Sequence, residues 1–261
     1  GIVRDGKLIC AHSNHSDLPM TSSVEIWDTE TLQHIDSHSF GILYGSLTWM
    51  DRHDGYWWGG FAHYDGNGGY PDRDHTYTTV VKFDDDWRRI ESWVFPKEVL
   101  DRFKPHSTSG GAWGPDGRLY CTGHDRPEIY ALALPKAGSI LRHIRTIPFP
   151  IEGQAIAFDF SGTNLVYGIV RRQDKIIAAP LPKTGEQAAI DTLLDEAFPN
   201  PEAPGAIAMA MRDGEIVYIG ARGIANTETG QQLTPDTPTR IASASNQFTA
   251  MAVLVLKERQ Q

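Results

Sequence analysis

The chain has 261 residues and a mass of 29.0 kDa, with 40% hydrophobic residues, 22% charged residues and a formal charge of -9. This mixture is that of a globular protein of one large or two small domains. The acidic balance opposes binding to nucleic acid or to an anionic membrane surface, since both need clustered cations. No apolar run is long enough to span a bilayer and no leader segment is visible. Residue 1 is Gly, and Ile2 and Val3 already read as strand, so a processed or truncated N-terminus is expected. Two cysteines, Cys10 and Cys121, are too few for a disulfide framework.

From the N-terminus the chain repeats itself. Turn-plus-strand units run "DGKLICAH" (5–12), "DGYWWGGFAH" (54–63), "DGRLYCTGH" (116–124) and "SGTNLVYG" (161–168). Each holds a turn glycine, Gly6, Gly55, Gly117 or Gly162. Asp-Gly between apolar strands is a strong hairpin signal, because Gly takes positive φ at no steric cost. A short strand follows three of these units: "VEIWD" (24–28), "VVKFD" in the 79–84 region and "EIYAL" (128–132). Then come "LQHIDSHSF" (32–40), "WRRIESWVF" (87–95) and "LRHIRTIPF" (141–149), which align without a gap. About four short antiparallel strands over roughly 45–60 residues is the make-up of one propeller blade. Residues 1–185 are therefore expected to form a partial β-propeller of about four blades. This part resembles the broad β-propeller superfamily; a β-sandwich is the alternative.

Three repeats end their second strand on a histidine: His12, His63 and His124. Equivalent strand ends converge on one rim of a propeller, where three imidazoles can hold a divalent metal. The alternative is that each caps a loop by bonding a backbone group. The segment "YDGNGGYPDRDH" (64–75) can offer calcium oxygen ligands, but it lacks the spacing of a calcium loop and reads as an inserted surface loop. Trp57, Trp58, Trp93 and Trp113 can stack on sugars, and core packing of the blades is the plainer reading. Apart from the metal at the rim, no cofactor is expected.

The fourth unit reaches its third strand, "KIIAAPLPKTG" (175–185), and then the period changes. In "QAAIDTLLDEAF" (187–198), Ile190, Leu193, Leu194, Ala197 and Phe198 fall on one face of a helix, although Ile190-Asp191-Thr192 echoes the strand repeat. Pro199, Pro201 and Pro204 punctuate a turn. "GAIAMAMRDGEIVYIGARG" (205–223) makes a hairpin around Asp213-Gly214. A polar connection (227–240) leads to a helix over 243–260, with an apolar face of Phe248, Met251, Ala252, Val255 and Leu256. The fold class is thus mainly β: a partial propeller, residues 1–185, followed by a small α/β segment of helix, hairpin and helix, residues 186–261.

The order helix, "PGAIAMAMRDGEIVYIGARGIANTETGQQLTPDTPTRIASASNQFTA", helix resembles the opening of the serine β-lactamase and penicillin-binding-protein family, in particular its class C, esterase and D-aminopeptidase branches. The resemblance covers about residues 187–261 and includes Pro204-Gly205, Asp213-Gly214, Gly223, Thr237 and Phe248-Thr249. It implies a Ser-x-x-Lys signature at the start of a buried helix, in which Ser attacks an acyl carbon and Lys helps to remove its proton. The nucleophile maps onto Ser243, whose own N–H would help to form an oxyanion hole. The lysine maps onto Asn246, which cannot take a proton at neutral pH. The later Tyr-x-Asn or Ser-x-Asn loop and Lys/His-x-Gly strand do not occur before Gln261. Lys183-Thr184-Gly185 matches the last of these only if the site is circularly rearranged. Helix capping is the alternative role of Ser243.

The expectation is a truncated or fused chain whose serine-hydrolase segment is inactive by itself. The resemblance implies a small-molecule or peptide substrate and a periplasmic or secreted location. Self-association through the exposed C-terminal helix is expected. A ligand-binding or scaffold propeller with a vestigial tail is the other function class.

Overall fold

A computed structural model describes residues 1–42, 44–66, 70–161, 165–212 and 214–259. Gly162 and Asp213, and residues 67–69 of the inserted loop, lie outside the described residues. The chain divides into two compact units, Gly1–Pro182 and Lys183–Gln261.

The first unit consists of four antiparallel sheets in chain order. Sheet one holds β1 (Ile2–Arg4), β2 (Lys7–Ser13), β3 (Ser22–Asp28) and β4 (His34–Gly41). Sheet two holds β5 (Ser46–His53), β6 (Tyr56–Ala62), β7 (Thr79–Phe83) and β8 (Arg89–Val94). Sheet three holds β9 (Gly110–Trp113), β10 (Leu119–Thr122), β11 (Glu128–Ala133) and β12 (Arg142–Pro148). Sheet four holds β13 (Ile156–Phe158), β14 (Leu165–Val170) and β15 (Lys175–Pro180), and no fourth strand joins it among the described residues. β5 packs beside β9, and β9 beside β13, so the first strands of sheets two, three and four adjoin, while sheet one meets β5 through β2. This is a propeller-like arrangement of four blades. Two of the turns are those the Asp-Gly pairs predict: Asp5 and Gly6 have φ of 49° and 72°, and Asp54 and Gly55 have 48° and 76°; the turn at Asp116-Gly117 is longer, joining Trp113 to Leu119. Both central residues at positive φ is the twist a two-residue hairpin needs. Cys10 and Cys121 lie in the second strands of sheets one and three, and both are free thiols.

The core is aromatic. Trp49, Trp58, Trp93 and Trp113 share one buried cluster with Val99, Leu100 and Phe103. The last three lie on a helix, α1 (Lys97–Phe103), inserted between β8 and β9 and outside the strand repeat. A Cβ at Gly60 or Gly111 would come within 2.1 Å or 2.4 Å of the Trp49 indole, so these glycines make its seat. Trp58, Trp93 and Trp113 are thus core residues, while Trp57 stacks on Trp87.

The second unit begins with α2 (Gly185–Ala197). Thr184 accepts from the Gln187 N–H and the Gln187 side chain accepts from the Thr184 N–H, a complete capping box. The helical period therefore wins over the strand echo at Ile190-Asp191-Thr192. A hairpin follows, β16 (Ala206–Arg212) and β17 (Glu215–Arg222), in a sheet of its own. A second small pair, β18 (Ile224–Asn226) and β19 (Gln231–Gln232), precedes a 3-10 turn at Ala242–Ala244 and the helix α3 (Ser245–Glu258). α2 is tied to β17 by polar contacts. Gln187 donates to the Val217 carbonyl at 3.0 Å. Tyr218 donates to Asp191 at 2.8 Å, and Arg222 pairs with Asp191 at 2.9 Å and Asp195 at 2.5 Å. Lys183 also pairs with Asp191.

Candidate functional sites

The sequence places Ser243 at the first residue of a helix; the structure corrects this. Ser243 sits in the middle of the 3-10 turn, and α3 starts at Ser245. Two local features account for the difference. Ala242 takes φ of 47°, which bends the chain away from a helical approach. The Ser245 hydroxyl donates to the Ala242 carbonyl at 2.8 Å, and the residue three after Ser243 is Asn246, where a capping box would need Glu or Gln. The helix has no side-chain cap. Ser243 and Asn246 are both exposed, and no hydrogen bond joins them among the described residues. As a pair they offer a hydroxyl with no neighbouring base.

The Lys183-Thr184-Gly185 triplet serves another purpose. Thr184 is the N-cap of α2, Gly185 is its first residue, and Lys183 pairs with Asp191 one to two turns along. It forms a helix start and not the strand that a rearranged hydrolase site would require. Asp191 is the electrostatic centre of this unit. Desolvation raises its pKa, but hydrogen bonds from Lys183, Tyr218 and Arg222 outweigh that and hold it at about 2.

At the propeller the three repeat histidines have three different fates. His12 shares a hydrogen bond at 3.2 Å with Ser23 of its own sheet. His63 is buried; its Nε2 meets the Tyr44 carbonyl at 3.2 Å and its Nδ1 has no partner among the described residues. Gly45, at φ of 101°, leaves the room for that ring, since a Cβ there would lie 2.7 Å from Nε2. Burial pushes the His63 pKa down. His124 is half-buried and bonds Asp125 through Nδ1 at 2.8 Å and Arg171 through Nε2 at 2.7 Å. The three do not gather into one cluster of metal-ligand atoms. The repeat sets strand position, but the hydrogen bonds of each blade set where each ring goes.

The strand ends nevertheless share a polar rim. Ser13, at the end of β2, meets Ser46 of the next sheet at 2.7 Å. Tyr64, just past β6, packs on His15 with ring centroids 4.1 Å apart and the rings tilted. His15 is exposed, and its pKa is lowered by partial desolvation and then by the charge of His106. His106, from the loop between α1 and β9, packs on His124 with ring centroids 3.9 Å apart. Both rings bond the Asp125 carboxylate, His106 at 2.7 Å and His124 at 2.8 Å. Desolvation raises the Asp125 pKa, and these hydrogen bonds more than reverse it. Asp125 directly follows His124, one residue beyond the repeat unit. His106 lies in a non-repeating loop, where no periodicity could pair it with anything. In the inserted loop, Asp65 accepts from both the N–H and the Nδ1 of His75, and Asp74 caps the 3-10 turn His75–Tyr77. These carboxylates organise the loop itself.

Comparison with known proteins divides the chain at the same place. Residues 188–261 match the family model described as Beta-lactamase. Esterase EstB of Burkholderia gladioli is 39% identical over 72 residues, which are 28% of this chain and 18% of that protein. The bifunctional 3'-5' exonuclease/ATP-dependent helicase WRN of Mus musculus is 32% identical over 68 residues, 26% of this chain and 5% of that protein. The chain thus spans less than a fifth of the length of each of these curated relatives. Among solved structures, a luciferin-regenerating enzyme is similar at 10% identity and a TM-score of 0.40, covering 62% of this chain and 49% of that one. The C-terminal segment is therefore related to serine hydrolases of the β-lactamase and esterase type.

Proposed function

We propose that residues 186–261 carry the nucleophile segment of an acyl-serine hydrolase, with Ser243 as the nucleophile by descent, and that this 261-residue chain does not turn over. The carrying observation is the replacement within the matched segment: Asn246 stands where the family signature has lysine. An amide can orient a hydroxyl but cannot accept its proton. The exposure of Ser243 adds to this, because an oxyanion hole gains its strength from a dry, preorganised site. The acyl donors of this chemistry are a β-lactam, a D-amino-acid peptide or a small ester. Nucleic acid and membrane are not partners on this reading; no helix among the described residues is long and apolar enough to cross a bilayer.

Mass spectrometry after incubation with a penicillin tests the proposal. The expected spectrum has no adduct on Ser243, and nitrocefin and p-nitrophenyl esters remain uncleaved. General-base assistance is typically worth about 10²–10⁴ in rate, so its loss alone can hide turnover. A chimera in which residues 186–261 open a complete esterase domain should acylate only when it also carries Asn246→Lys. A covalent adduct on Ser243 of the unmodified chain overturns the inactive reading. Failure of the substituted chimera to acylate overturns the assignment of Ser243.

A further inference from the structure

We propose that His106, His124 and Asp125 form a divalent metal site at the propeller rim, of the kind that suits zinc. The three residues each present one ligand atom, and these atoms all lie within 4.8 Å of one another. Two come from the loop just past β10 and one from the loop that follows α1, so two separate backbone segments hold the geometry. Two imidazole nitrogens and one carboxylate oxygen is a set that first-row metals such as zinc accept, and it leaves a fourth position open to water or substrate. Hard cations such as calcium prefer all-oxygen cages, which this site lacks. His106 and His124 are half-buried and Asp125 is exposed, so an ion has an entry path from solvent.

The present hydrogen bonds show what metal binding must change. Arg171 donates to Nε2 of His124, so that ring carries its proton on Nδ1, where it bonds Asp125. Nδ1 of His106 makes the equivalent contact with the other carboxylate oxygen. A metal between the two rings and the carboxylate takes the place of these two protons. Each Nδ1 then presents its lone pair, and the ring proton moves through solvent to Nε2. No electron is transferred. On His124 the new Nε2–H faces Arg171, a donor against a donor, so Arg171 must swing away. Arg171 is exposed and free to do so. It therefore competes with the ion, and this gives the proposal a signature that a merely structural histidine pair would not have.

The test uses the whole chain without an affinity tag. Zinc uptake is followed by equilibrium dialysis and elemental analysis, and cobalt uptake by its visible absorption. One equivalent is expected, with a d–d spectrum of low coordination number. His106→Ala and Asp125→Asn should each weaken uptake at least about tenfold, the loss common for altered metal surroundings. Arg171→Ala should bind as tightly as the parent or more tightly. His12→Ala should change nothing. If the variants fail to fold, diethylpyrocarbonate labelling of the parent chain decides: zinc should protect His106 and His124 but not His12. No uptake by the folded parent chain overturns the proposal. So does uptake unchanged in His106→Ala, or weakened by Arg171→Ala, or labelling of His106 unaffected by zinc.

Discussion

Strands β11 and β16 are both apolar runs, EIYALA and AIAMAMR, yet they end in opposite surroundings. In β11 five of six residues are buried, and in β16 none is. β11 has β10 and β12 on its two edges and lies within sheets whose faces are covered by tryptophans and α1. β16 has one partner, β17. Neither α2 nor α3 has a buried residue, and Phe248, Met251, Leu254 and Leu256 of α3 are exposed. An apolar pattern defines a face, but a second layer is needed to bury it. The propeller unit supplies that layer from its neighbouring sheets and the inserted α1. The second unit holds itself together with a cap and a group of ion pairs around Asp191.

If that contrast is right, the largest effect belongs to a core deletion in the first unit. Phe61, fully buried, should cost about 3–5 kcal/mol on Phe61→Ala, read by denaturant unfolding. A much smaller cost would mean that the separate cluster of Phe61 with Phe40 and Phe83 is loosely packed. Next comes the polar centre of the second unit. Asp191→Asn leaves Lys183, Tyr218 and Arg222 facing an uncharged group and should cost about 1–3 kcal/mol, seen as faster amide exchange in α2 and β17. This effect depends on pH in a definite sense. The folded pKa of about 2 lies below the unfolded value, which is about 3.9. The contribution is therefore complete above the unfolded pKa and fades as pH falls towards the folded one. The gap between parent and Asp191→Asn should close across that window and stay constant from pH 5 to 7. A gap that persists at pH 2 would assign the loss to packing.

Removing the cap of α2 should have a smaller consequence. Thr184→Ala deletes one half of the capping box and should cost about 1 kcal/mol in the second unit. The smallest change expected is at Phe248, which is 63% exposed. Phe248→Ala should stay within about 0.5 kcal/mol, as exposed substitutions do. A larger loss that grows with protein concentration would show that copies of the chain cover the α3 face for one another, as self-association through this helix would require. That result would sharpen the contrast by naming the missing layer.

Much of the fold was legible from residue order. The Asp-Gly turns at 5–6 and 54–55, the ungapped nine-residue repeats and the change of period at Gln187 each have a local cause, and each led to the element observed. The three-stranded fourth sheet followed from the same reading. α1 was not legible, because Val99, Leu100 and Phe103 span less than two turns and sit between two strong strand signals. The hydrolase resemblance could be read because a long continuous segment carries it, and that Asn246 stands three residues after Ser243 is a matter of sequence alone. The start of the helix was misplaced by two residues. The positive φ of Ala242 and the Ser245 hydroxyl bond are choices of local geometry that composition does not announce.

Sequence by itself determined what depends on neighbours along the chain: turns, strand period, the cap at Thr184 and the absence of a base three residues after Ser243. Tertiary structure decided which side chains meet. Three histidines at equivalent repeat positions went to a serine, to a backbone carbonyl and to a carboxylate, because each ring follows the hydrogen bonds of its own surroundings. The partner His124 did find, His106, comes from a loop 18 residues away that shares no repeat with it. Proximity across a fold is set by how sheets pack, and that information is spread over the whole core and not written at either residue.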